Sequence, residues 1–154
     1  DEDPSYAREC ENLVRSLGLE NHVKFLGFQK VEDLMPKIGL IVLSSISEAL
    51  PLVILEGYAA GVPTVSTDVG SCRQLIEGLG EEDRALGSSG SVVADPQALA
   101  DAAIALLNDP TEWTRASQAA IARVERYYTD SMMFGSYRKV YQKALGGPAT
   151  DEAR

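Results

Sequence analysis

Two glutamates, Glu48 and Glu56, stand with seven residues between them in the stretch Ser45-Ile46-Ser47-Glu48-Ala49-Leu50-Pro51-Leu52-Val53-Ile54-Leu55-Glu56. An ionised carboxylate only accepts hydrogen bonds, so a pair of them suits hydroxyl donors such as a ribose or a sugar ring. Pro51 favours a helix start. That places Glu48 on the loop before the helix and Glu56 on its second turn, both facing one crevice. Backbone N–H groups of Leu52 and Val53 then lie unpaired at the helix N-terminus, which attracts anions by about 0.3–1 kcal/mol. Each glutamate also has a plainer reading. Glu48 sits where a carboxylate caps a helix, and Glu56 where a helix shows a thin edge to solvent.

These residues need a scaffold. Gly39–Ser44 is a continuous apolar run of strand length, the pattern of an interior parallel strand covered on both faces. In open parallel sheets, ligands bind beyond the carboxyl ends of the strands, which is where the Ser45–Pro51 loop falls. Leu52 to Ala60 reads as a helix stopped by Gly61. Its four adjacent apolar residues, Leu52 to Leu55, cover every side of one turn, which predicts a buried helix.

The flanking segments alternate. Asp3-Pro4 opens a helix that runs to Gly18. His22–Leu26 alternates and reads as a strand ending at Gly27, and Val31–Lys37 as a short helix. Pro63–Thr67 and Ser91–Ala94 are short strands, with a helical turn over Ser71–Ile76. The charged, glycine-rich Glu81–Gly90 reads as a surface insertion. After Asp95-Pro96 come helical patterns at 97–108, 112–127 and 131–144 with no strand between them. Strands alternating with helices imply an α/β fold, a Rossmann-like parallel sheet flanked by helices, here with a helical C-terminal tail over 110–146. We read residues 1–146 as one lobe, cut at its N-terminal side, and 147–154 as a frayed tail.

Composition excludes several classes. The 154 residues carry 14 Lys+Arg against 23 Asp+Glu, a net charge of −9. Nucleic-acid binding and a basic membrane anchor both need a concentrated positive surface. No apolar run approaches the roughly 20 residues of a membrane-spanning helix. Cys10 and Cys72 make no disulfide scaffold, so a reduced, cytoplasmic setting is the simpler reading. His22 has no second histidine and no CxxC beside it, which excludes a zinc cluster. Trp113, Tyr127 and Tyr128 read as core or inter-lobe packing, and Cys72 as a small, partly buried residue.

The segment from Ser45 resembles the E-x7-E motif of retaining, GT-B-fold glycosyltransferases of the group 1 (family 4) type. Ser45, Glu48, Pro51, Leu55, Glu56, Ala59, Gly61, Pro63, Thr67 and Gly70 fit its pattern, and Val23–Phe28 is similar to the strand and glycine that precede the base-binding loop. Ser66–Ile76 and Glu82–Gly87 look more specifically like the PelF branch, glucosyltransferases of Pel exopolysaccharide synthesis. The resemblance covers about residues 3–109. It implies the C-terminal, nucleotide-sugar-binding lobe of a GT-B enzyme. Glu56 would bind the donor ribose, and Glu48 the sugar hydroxyls near the reacting carbon. Backbone around Leu50, Pro51, Leu52 and Val53 would hold the diphosphate, with Gly27 and Phe28 near the base. No metal or cofactor is implied, and UDP-glucose is the expected donor.

The implied partners are an N-terminal acceptor lobe of the same protein and, for the whole protein, a membrane-associated polysaccharide synthesis complex. The family's diphosphate-gripping Arg and Lys are expected upstream of the first helix, so the chain alone is expected to be inactive. A UDP-N-acetylglucosamine 2-epimerase-like lobe and a non-catalytic α/β interaction module are the alternatives. Four positions depart from the pattern: Ala49 and Ser71 stand for Gly, Gln74 for Glu, and Gly57 for Ala. A helical glycine costs roughly 0.8–1 kcal/mol unless something compensates.

Overall fold

A computed structural model describes residues 3–146, and the expected frayed tail, 147–154, lies outside the described residues. The chain divides between Lys30 and Val31 into two compact units.

The first unit holds one helix, α1 (Pro4–Ser16). Asp3 caps it as expected: one carboxylate oxygen accepts from the Ser5 hydroxyl and from the Ser5 and Tyr6 N–H groups, and the hydroxyl above all holds that carboxyl below its ordinary range. Gly18 follows with φ +67°. His22–Leu26 does not form the expected strand. Alternation specifies an extended backbone with one apolar side, but a strand exists only through its ladder. Here the N–H groups of His22 and Val23 turn back to the Leu19 carbonyl instead.

The second unit carries the sheet. Its elements are α2 (Val31–Leu34) with a 3₁₀ turn over Met35–Lys37, β1 (Ile41–Leu43), α3 (Leu52–Ala59), β2 (Thr64–Thr67), α4 (Cys72–Glu77), α5 (Glu81–Arg84), β3 (Gly90–Val93), α6 (Pro96–Asn108), α7 (Pro110–Tyr127) and α8 (Asp130–Ala144). The three strands are parallel in the order β1-β2-β3, in register Ile41↔Thr64 and Thr64↔Gly90. Helices bridge each pair of strands, as parallel pairing requires.

Three apolar clusters hold the unit together. Ile54 and Tyr58 of α3 pack with Cys72, Leu75 and Ala120. Val65 of β2 packs with Leu99, Leu106 and Ala116, and Trp113 closes over that cluster. Met35, Ile41 and Val62 form the third. Trp113 and Tyr128 therefore serve packing, as read from the sequence, and the Trp113 indole also donates to the Gly39 carbonyl at 2.6 Å. Cys72 is fully buried rather than partly so.

Two burial expectations are corrected. β1 is an edge strand among the described residues, not an interior one, and Val42 is 50% exposed. An apolar run reports how much surface favours cover, not which neighbour supplies it. α3 is likewise not buried all round: Ile54, Gly57 and Tyr58 are buried, whereas Leu52 is 62% exposed.

Gly57 has its compensation. A Cβ there would lie 2.2 Å from Ile41 Cδ1 and 3.6 Å from the Val62 carbonyl oxygen, so the missing side chain lets α3 close onto β1. Gly57→Ala alone is expected to yield none of the ~0.8–1 kcal/mol that helix propensity promises. Once Ile41→Val has removed the obstructing Cδ1, the same substitution should yield it. A double-mutant cycle by urea denaturation checks this, and simple additivity of the two changes would sink the account.

Candidate functional site

The site is assembled from the loops at the carboxyl ends of β1 and β2. The first loop, Ser45–Pro51, leads from β1 into α3. Pro51 occupies the N-cap position in an extended conformation and no side chain caps the helix. The first N–H groups of α3, at Leu52 and Val53, are thus left as donors at the positive end of the helix dipole.

Glu48 is not the helix cap. Its carboxylate accepts at Oε1 from the Ser45 hydroxyl, 2.6 Å away. Glu48 and Ser45 are both half-buried. The second loop, after β2, fixes the first. Thr67 Oγ1 donates to the Ser45 carbonyl at 2.6 Å, and the Ser71 N–H donates to the Ala49 carbonyl at 3.0 Å. Between those bonds lies Gly70, with φ +52°. A Cβ on Gly70 would sit 2.2 Å from the Glu48 carbonyl oxygen, so only glycine lets the loops approach this closely.

Glu56 is exposed on α3. It lines a groove of about 540 Å³ with Leu50, Leu52 and Leu55 on one side and Tyr127, Asp130 and Met133 of α7 and α8 on the other. The sequence reading put Glu48 and Glu56 on one crevice. Leu50, Leu52 and Glu56 line this groove, and Glu48, Pro51 and Val53 do not. Gly27 and Phe28 belong to the first unit. Gly27 has φ +61° and Phe28 is 95% exposed.

The most connected side chain of the lobe lies elsewhere. Arg123 of α7 is fully buried. Its Nε donates to Asp83 at 2.6 Å, and its other nitrogens to the carbonyls of Ile76, Asp83 and Gly87 and to Ser89 Oγ at 2.8–3.0 Å. Ser89 Oγ is also 2.6 Å from the hydroxyl of Tyr58, whose burial pushes its phenol well above the ordinary range. Glu81–Gly90 is thus more than the surface insertion expected from its charge and glycines. It contains α5 and places Asp83 in the interior. Composition misled because the partner, 40 residues away, carries the opposite charge.

Sequence reasoning singled out neither Arg123 nor the tie between Ser45 and Glu48. A Ser three residues before a loop carboxylate is a local signal for the second; no local pattern marks the first. Arg73 also went unremarked. It pairs with Asp68 at 2.7 Å and Glu77 at 2.6 Å at the surface beside the β2 loop. Among the described residues, no cluster of His, Cys, Asp and Glu could hold a metal ion, and no helix is long and apolar enough to cross a membrane.

A parallel sheet flanked by helices, with a helical C-terminal tail, matches the architecture of the C-terminal lobe of GT-B glycosyltransferases. The family model of the glycosyl transferases group 1 matches residues 2–109, and the chain belongs to that family. It is 32% identical over 136 residues to N-acetyl-alpha-D-glucosaminyl L-malate synthase of Bacillus anthracis, covering 86% of this chain and 34% of the relative. Identity is 28% over 144 residues to the lipopolysaccharide core biosynthesis mannosyltransferase LpsB of Rhizobium meliloti, covering 92% of this chain and 39% of that one. The chain therefore spans little more than a third of these relatives.

Among solved structures, sucrose-phosphate synthase from Thermosynechococcus elongatus superposes with a TM-score of 0.79 at 25% identity, covering 94% of this chain and 37% of that one. Anabaena HepE, solved in complex with UDP-glucose, gives a TM-score of 0.75 at 26% identity, covering 91% and 38%.

Proposed function

We propose that this chain is the nucleotide-sugar-binding lobe of a retaining glycosyltransferase, with UDP-glucose as donor and a saccharide as acceptor. The observation that carries it is the uncapped N-terminus of α3 with a carboxylate on either side: Glu48, oriented by Ser45, and Glu56, exposed one turn along. Backbone N–H groups around Leu50, Leu52 and Val53, with Pro51 setting the turn, receive the diphosphate. Glu56 accepts from the ribose hydroxyls and Glu48 from the sugar. No resident metal or cofactor enters this scheme. The lobe works by positioning the donor and stabilising the charge of the departing diphosphate.

Support for the donor comes from the UDP-glucose complex of HepE and from the PelF-like stretch after β2. The same reading makes the partner an acceptor lobe of the same polypeptide. It places the whole protein on the cytoplasmic side of a membrane-associated polysaccharide synthesis complex.

Thermal unfolding with and without UDP-glucose is the direct test. The wild-type chain is expected to gain several degrees at a concentration well above Kd, since a ligand that binds only the folded state stabilises by mass action. Glu56→Ala is expected to abolish that gain while leaving the ligand-free Tm within about 2 °C, as befits an exposed residue. No response of the wild type to any nucleotide sugar would favour a non-catalytic interaction module instead.

A further inference from the structure

We propose that Ser45 is a positioning residue for the donor sugar, acting through Glu48. The inference rests on the reading of Glu48 as a sugar contact. The geometry has three parts. Ser45 Oγ donates to Glu48 Oε1 at 2.6 Å, while Oε2 carries no hydrogen bond among the described residues. The carboxylate is thus anchored by one oxygen and offers the other, with its two lone-pair directions, to hydroxyl donors. The Ser45 backbone is itself anchored, because Thr67 Oγ1 holds its carbonyl at 2.6 Å. The Glu48 backbone rests on Gly70, where no side chain fits.

A chain of contacts therefore runs from the end of β2 through Thr67 and Ser45 to the Glu48 carboxylate. Each link is a short-range hydrogen bond from a residue in or beside a strand, so the loop inherits the sheet's rigidity. A glutamate without such an anchor samples many rotamers and must be ordered when ligand arrives. Ser45 carries out that ordering before the donor binds, which is how preorganisation raises affinity. In this proposal Ser45 acts on the Glu48 carboxylate and not on the sugar directly. Its effect is confined to what Glu48 does.

The test compares UDP with UDP-glucose as calorimetric probes of the chain. The ratio of the two affinities isolates the sugar. Ser45→Ala is expected to lower the UDP-glucose affinity about tenfold, the size expected for losing a hydrogen bond to a charged group, and to leave UDP affinity unchanged. Ser45→Thr, which keeps the hydroxyl, is expected to restore most of the ratio. Glu48→Ala should remove the sugar contribution, and Ser45→Ala should then add nothing further.

Equal weakening of UDP and UDP-glucose by Ser45→Ala would mark a general loop defect and overturn the proposal. So would an unchanged ratio in Ser45→Ala beside a lost one in Glu48→Ala. A ratio that survives Glu48→Ala, or one that is absent in the wild type, would overturn the underlying reading of Glu48 as a sugar contact.

Discussion

Arg123→Met is expected to lower the unfolding free energy by about 3–5 kcal/mol, the range measured when one partner of a buried ion pair is removed. Arg123 has no exposed surface and Asp83 is 3% exposed, so water cannot replace what the substitution takes away. The loss is larger than an ion pair alone implies. Three carbonyls and the Ser89 hydroxyl lose their donor at the same time, and each buried acceptor left unpaired costs desolvation free energy. Against a typical total of 5–15 kcal/mol, this brings the lobe close to unfolding. Urea denaturation followed by circular dichroism measures it. The double substitution Arg123→Met with Asp83→Asn should recover part of the loss, since the uncompensated charge has gone. A loss below about 1 kcal/mol in the single variant would mean that water reaches the guanidinium site.

Gly70→Ala is expected to abolish stabilisation by UDP-glucose and to cost about 1–3 kcal/mol of stability. Two effects add. Alanine at φ +52° is strained, and its Cβ would meet the Glu48 carbonyl oxygen at 2.2 Å and carbon at 2.7 Å. The neighbour is backbone, so the clash is relieved only by moving the Glu48 loop. Gly18 provides the control. Its φ of +67° is similar, but nothing lies within 4 Å of the position a Cβ would take. Gly18→Ala should therefore show the conformational cost alone. Equal losses from the two variants, with UDP-glucose stabilisation kept in Gly70→Ala, would remove the close approach from the account.

How far the sequence could be read depended on the range of each interaction. Caps, stops and short apolar runs are local, and Asp3, Asp95, Asp109 and Gly61 mark helix ends where their chemistry says they should. The parallel sheet of β1, β2 and β3 followed from the alternation of strands with helices. What pairs with what was not local. His22–Leu26 has a strand's pattern without a ladder, and Gly39–Ser44 an interior strand's pattern at an edge. The glutamate spacing was legible because seven residues cross one loop and one helical turn. That Ser45 in turn leans on Thr67 needed the 22-residue separation between two strand ends to be closed first. Leu52 shows the same limit from the other side. Its hydrophobicity predicted burial, yet packing left it as a wall of the groove beside Glu56.

The Arg123 brace also separates two meanings of a domain. The matched family region ends at residue 109. Trp113, Ser117 and Arg123 all follow it, and they reach back to Gly39, Gly61 and the Ile76–Ser89 segment. A fragment cut at that boundary would keep the recognisable motif and lose the donors that close its interior. The interior beneath the Ile76–Ser89 segment is therefore completed only when α7 arrives. During synthesis from the N-terminus, residues 41–93 must wait for about thirty more to emerge before Asp83 meets its counter-ion. The family signature and the stretch of chain that closes its interior are different lengths of the same polypeptide.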